Sequence, residues 1–142
     1  RAGGDMRVLT ARGGEYEADF AFGVVRQLFE PLLASVSAEA RAKLYAGAAE
    51  LAAPVFEAES LVSPHDPESE TSFAILHGLY WLAANLATEE PTMLAIDDLH
   101  WADGPSLRWL CYLAHRLEGM PLLVVVLLIL VRIDIMFISI SG

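Results

Sequence analysis

The stretch Thr92-Met93-Leu94-Ala95-Ile96 is apolar without alternation and stops abruptly at Asp97-Asp98. An uninterrupted run of this length predicts a central parallel strand covered on both faces, because a half-exposed strand would alternate. A second such run starts at Leu122. Between them, Pro105 fits the first position of a helix whose apolar residues are Leu107, Leu110, Cys111, Ala114 and Leu117. Gly119, with Pro121 beyond it, marks the stop. Strand, helix, strand at this spacing predicts a right-handed crossover between parallel strands.

The rest of the chain supplies the remaining elements. Met6 to Thr10 reads as a short strand closed by the breaker pair Gly13-Gly14. Asp19 is placed to cap a helix over residues 20–34, with Phe20, Val24, Leu28 and Phe29 inward. Pro31 predicts a kink or restart there, since it lacks an N–H and crowds the carbonyl of Gln27. Ser37 caps a third segment, residues 38–53, with Leu44, Leu51 and Val55 as its seam. The run Ser63-Pro64-His65-Asp66-Pro67 predicts a surface loop. Residues 73–87 are apolar nearly all round, so that helix is expected to be enclosed, with His77 as a core residue. The fold class predicted is α/β. Residues 6–10, 92–96 and 122 onward form one parallel sheet in a three-layer arrangement, covered by helices 20–34, 73–87 and 106–118.

Charge and cysteine content narrow the function classes. Nine Lys and Arg against 19 Asp and Glu give a net charge of -10 over 142 residues, one domain's length. Such an acidic surface repels a phosphate backbone, which argues against direct nucleic-acid contact by this segment. A single mononucleotide stays open, because helix termini and a metal ion bind one without a basic surface. The single cysteine, Cys111, makes neither an internal disulfide nor a zinc site. Its apolar surroundings predict a buried, inert thiol, and a reducing cytoplasm is the expected location. The ten apolar residues 122–131 fall short of the roughly 20 that a membrane span requires. Both ends read as cuts through something larger, since the chain opens Arg1-Ala2-Gly3-Gly4 without Met or a signal-peptide pattern.

Chemistry concentrates at Asp97-Asp98. In an open parallel sheet, ligands bind beyond the C-terminal ends of the strands. One carboxylate there holds Mg²⁺ through water, and its neighbour orients a water that attacks a terminal phosphate. The competing reading makes both acids turn residues, with Asp98 or Asp103 capping the next helix. His100 either donates to a phosphate or pins the loop. Trp101 is expected beneath the loop rather than against a base, and Arg26 and Arg108 are either anion contacts or solvated.

The string Leu94-Ala95-Ile96-Asp97-Asp98-Leu99-His100-Trp101-Ala102-Asp103 resembles the Walker B segment of the STAND branch of AAA-like P-loop ATPases. More narrowly, it resembles the ATPase module of large LuxR-type transcriptional regulators. The stretch from Gly14 to Leu32, the string Leu76-His77-Gly78-Leu79-Tyr80-Trp81-Leu82 and the string Ser106-Leu107-Arg108-Trp109-Leu110 resemble the same family in the same order. The likeness covers about residues 6–126 and implies a partial ATPase domain with ATP and Mg²⁺ as cofactors. By it, Asp97 corresponds to the metal carboxylate and Asp98 to the catalytic acid that positions water; His100, by its place beside them, is the candidate cofactor contact. The implied partners are ATP, sensor and DNA-binding domains of the same polypeptide, and self-association. Two departures stand out. No GxxxxGK[ST] loop occurs, and residues 127–142, Arg132 included, form a tail unlike the family. A non-catalytic α/β interaction scaffold, or a piece inactive by itself, is the alternative.

Overall fold

The computed structural model describes residues 6–14, 21–57, 70–129 and 133–140, with only the backbone beyond 126. The strands β1 (Arg7–Arg12), β2 (Thr92–Asp97) and β3 (Leu122–Ile129) pair in parallel in chain order, as the apolar runs predict. A fourth strand, β4 (Ile133–Ile140), adds antiparallel to β3, so the tail extends the sheet. The fold is α/β, an incomplete sheet of the P-loop NTPase type.

Burial alternates along β1, β2 and residues 122–126 of β3. Leu9, Ala11, Leu94, Ile96, Leu122, Val124 and Val126 are buried in one core with the helices. The opposite face carries Val8, Thr10 and Arg12, all exposed, and the half-buried Met93, Ala95, Leu123 and Val125. The continuous runs predicted cover on both faces; among the described residues, helices bury one. Hydrophobicity alone marks what a strand is able to bury, whereas the neighbouring layer decides what it does bury.

The helix α1 (Gly23–Ser35) packs on β1 and runs through Pro31 as one element. Pro31 lies on the exposed side, while Leu28, Phe29 and Leu33 are buried, so the missing N–H costs the core nothing. The helix starts at Gly23 with Phe22 as its N-cap residue, not at residue 20, so Asp19, itself outside the described residues, is not the N-cap; the buried Asp103 carboxylate takes up the helix start instead. Ser37 caps α2 (Ala38–Leu44), its Oγ accepting from the Ala40 N–H at 3.0 Å. That helix stops after Leu44 rather than at 53, and Gly47–Phe56 continues as a 3₁₀ segment. Its buried residues, Ala49, Ala52 and Val55, recur every third position, as a 3₁₀ helix requires. Leu51, placed in the seam by α-helical counting, is exposed instead.

The long helix α3 (Glu70–Glu89) crosses this segment closely at Gly78, where a Cβ would lie 2.6 Å from the Ala52 nitrogen. Asn85 donates to the carbonyls of Leu44 (2.8 Å) and Ala46 (3.2 Å), satisfying the end of α2. The helix is not enclosed: Phe73, His77 and Trp81 form an exposed stripe. His77 is a surface residue, its Nδ1 3.0 Å from the Tyr112 hydroxyl and its Nε2 accepting from Trp81 Nε1 at 3.2 Å. The helix α4 (Gly104–Ala114) buries Trp109, Leu110 and Leu113. Trp109 meets Phe29 edge-on at 5.8 Å, and Phe29 meets Phe56 at 6.2 Å, tying three elements together. Leu107 is half-buried and Cys111 exposed, so the inner face is turned from the one predicted and the thiol is not buried. The helix also ends earlier than predicted; Gly119, at φ 81°, makes the turn before β3. The segment 58–69 lies outside the described residues. No described helix is long and apolar enough to cross a membrane.

Candidate functional site at the tip of the second strand

The register of the sheet decides what surrounds the two acids. β1 and β2 pair so that Arg12 lies beside Asp97, the last residue of each strand. Beyond them the Gly13 N–H donates to the Asp97 carbonyl at 2.9 Å. A Cβ on Gly13 would sit 2.3 Å from the Asp98 carbonyl oxygen and 3.0 Å from the Ala102 nitrogen. The glycine therefore does more than end a strand. It lets two backbones touch and so fixes the loop that carries the acids.

Asp97 is half-buried, and its Oδ1 accepts from the Asp98 N–H at 2.8 Å. Asp98 adopts a left-handed conformation, φ 51° and ψ 47°, which Asp tolerates better than most residues. Its backbone carbonyl accepts from Trp101 N–H at 3.0 Å, closing a short 3₁₀ turn over Leu99–Trp101. Its carboxylate, on a side chain 12% exposed, accepts from Arg12 Nε at 2.8 Å. That hydrogen bond, then the charge of Asp98 and that of Asp97, raise the Arg12 guanidinium above its ordinary value. Arg12 is thus a cation at any working pH.

The capping alternative applies to only one acid. Asp98 makes no capping bond. Asp103 accepts from the Ser106 N–H at 2.9 Å, the N-cap bond of α4. It also accepts from the N–H groups of Phe22 (2.7 Å) and Val24 (3.1 Å) at the start of α1. One buried carboxylate closes two helix N-termini, where anions are favoured. It holds Phe22 at φ 60°, a strained conformation for an aromatic residue. Ser106 adds to the junction, its Oγ accepting from Val25 N–H at 3.2 Å.

His100 is exposed on the short turn, its ring 5.2 Å from that of Trp101. Trp101 is 42% exposed, so it does not pack beneath the loop. Arg26 is taken up by the Glu57 carbonyl at 2.7 Å and by Glu30. Arg108 lies half-buried on α4. Arg12 is the site residue that sequence reasoning passed over, because only the strand register brings it to the acids.

As a cation site the donor set is sparse. No group of three or more His, Cys, Asp or Glu converges among the described residues. A half-buried carboxylate with one oxygen engaged fits Mg²⁺ held through water and phosphate, which needs one or two such ligands. It does not fit an all-protein cage. A family model described as an AAA ATPase domain matches residues 1–125. No curated protein and no solved structure matches the chain.

Proposed function

The chain belongs to the AAA ATPase domain family, and on that premise we propose that it carries the Walker B part of an ATP-binding and ATP-hydrolysing module. The module serves signal transduction in a LuxR-type transcriptional regulator of the cytoplasm. The observation that supports this most is the tip of β2. There two acids stand beyond the C-terminal end of a parallel strand, one in a left-handed conformation and neither used as a helix cap. Asp97 holds Mg²⁺ through water, and the metal, when bound, neutralises phosphate charge. Asp98 orients the attacking water, and for this its carboxylate must part from Arg12. The pair is a surface one on the Arg12 side, so it gives way to a competing ligand. His100, exposed beside it, donates to a phosphate. In the whole polypeptide the nucleotide state sets the packing of this module against sensor and DNA-binding domains, or against a second copy.

The scaffold reading draws on two observations: no GxxxxGK[ST] loop occurs in the 142 residues, and Asp98 is engaged by Arg12. The deciding experiment uses a polypeptide in which this chain is joined to a phosphate-binding loop. Nucleotide affinity with and without Mg²⁺ is measured beside single-turnover phosphate release. Asp98→Asn should keep ATP–Mg²⁺ affinity and slow release by about 10²-fold, whereas Asp97→Asn should also weaken Mg²⁺-dependent binding. Parental turnover in a folded Asp98→Asn variant would favour the scaffold.

A further inference from the structure

β1 is one edge of the sheet, β4 being the other. Arg7 N–H donates to the Pro91 carbonyl and Gly13 N–H to the Asp97 carbonyl, so the odd-numbered residues of this strand face β2. The even-numbered ones, Val8, Thr10 and Arg12, turn their N–H and C=O groups outward. At Arg12 both outward groups are taken by the side-chain amide of Gln27, which accepts at 3.0 Å and donates at 2.8 Å. A primary amide thus fills one position of a missing strand. At Val8 and Thr10 no hydrogen bond within the described residues uses the corresponding groups. Neither residue is charged, and Val8 is 49% exposed, so the edge lacks the usual protection against strand addition.

A groove of about 840 Å³ runs along this edge, walled by Leu28, Pro31 and Leu32 of α1 and reaching Glu89 and Glu90 beside Arg7. Glu90 is paired with Arg7 at 3.0 Å, and Glu89 is exposed with no ion pair among the described residues. We propose that this edge docks an extended, basic-flanked polypeptide segment of a partner, added as a further strand. Two N–H and two C=O groups, spaced by one two-residue repeat, match a peptide backbone. The bond pair at Gln27 ends the addition at Arg12. The wall of α1 takes the side chains of one face, and Glu89 with the net charge of -10 selects basic flanks. A second copy would bring the same charge and the same Glu89, which opposes self-pairing. The inference stands apart from the ATPase reading, since it uses none of the acids at the strand tip.

The test is nuclear magnetic resonance on the isotope-labelled chain, with an acetylated and amidated Lys-Thr-Val-Thr-Val-Lys peptide as probe. Saturable shifts and slowed hydrogen exchange are expected at the Val8 and Thr10 amides. Thr10→Pro deletes one outward N–H without touching the β2 ladder and should weaken binding about fivefold or more. A peptide N-methylated at its edge-facing amides should not bind, which decides the matter even if Thr10→Pro disturbs folding. Glu-flanked peptide should bind more weakly than Lys-flanked. The proposal is overturned by unmoved Val8 and Thr10 signals at millimolar probe, or by equal binding of the N-methylated peptide. It is equally overturned if those amides become protected with rising chain concentration and no peptide, which would make the occupant a second copy.

Discussion

Asp98 and Asp103 open and close the same short loop, and both are buried, 8% and 2% exposed. Their partners differ completely. Asp103 is held by three backbone N–H groups at two helix starts, none of which has water to turn to. Asp98 is held by one long side chain that is itself largely in solvent. Burial alone therefore says little about what a carboxylate does. A carboxylate whose partners are buried backbone groups joins elements, whereas one held by a single solvent-exposed side chain ties fewer parts of the fold together.

The contrast has measurable consequences. Asp103→Ala should be the most damaging change, costing about 3–5 kcal/mol, since it orphans three buried donors at roughly 1–2 kcal/mol each. Urea denaturation measures it, and a loss under about 1 kcal/mol would erase the distinction between the acids. Gly13→Ala should cost about 2 kcal/mol, because backbone must move to admit the Cβ, and chemical shifts should change along the whole loop. Asp98→Asn should cost about 1 kcal/mol or less; a larger loss would make Asp98 a second structural acid. Arg12→Gln should leave the denaturation midpoint nearly unchanged. Its effect belongs to ligand affinity at Asp97 and Asp98, read by Mg²⁺ titration in the joined polypeptide. The smallest perturbation concerns a different contrast, that between predicted and observed helix faces. Cys111 should react with a thiol reagent in the native state as fast as in urea, since it is exposed on α4.

Local patterns sufficed for several features. The apolar runs before Asp97 and after Pro121 identify parallel strands, because few other elements bury such runs between turn residues. Ser37 and Pro105 announce helix starts through properties of single residues. The matched family was legible in the strings around Asp97. What escaped the sequence depends on partners distant in the chain. The inner face of α4 is set by the pocket that Phe29 and Phe56 offer to Trp109, so periodicity alone found Leu110 and Leu117 but placed Cys111 inward in place of Trp109 and Leu113. The third segment breaks into α2 and a 3₁₀ stretch where Asn85 and Gly78 of α3 dock on it. Which of Asp98 and Asp103 caps α4 was undecidable locally, since either spacing permits a cap. The approach of α1 to Asp103, and of Arg12 to Asp98, settled it. Side-chain type determined what each residue was able to do; sheet register and helix docking, which join residues some 80 positions apart, determined what it does.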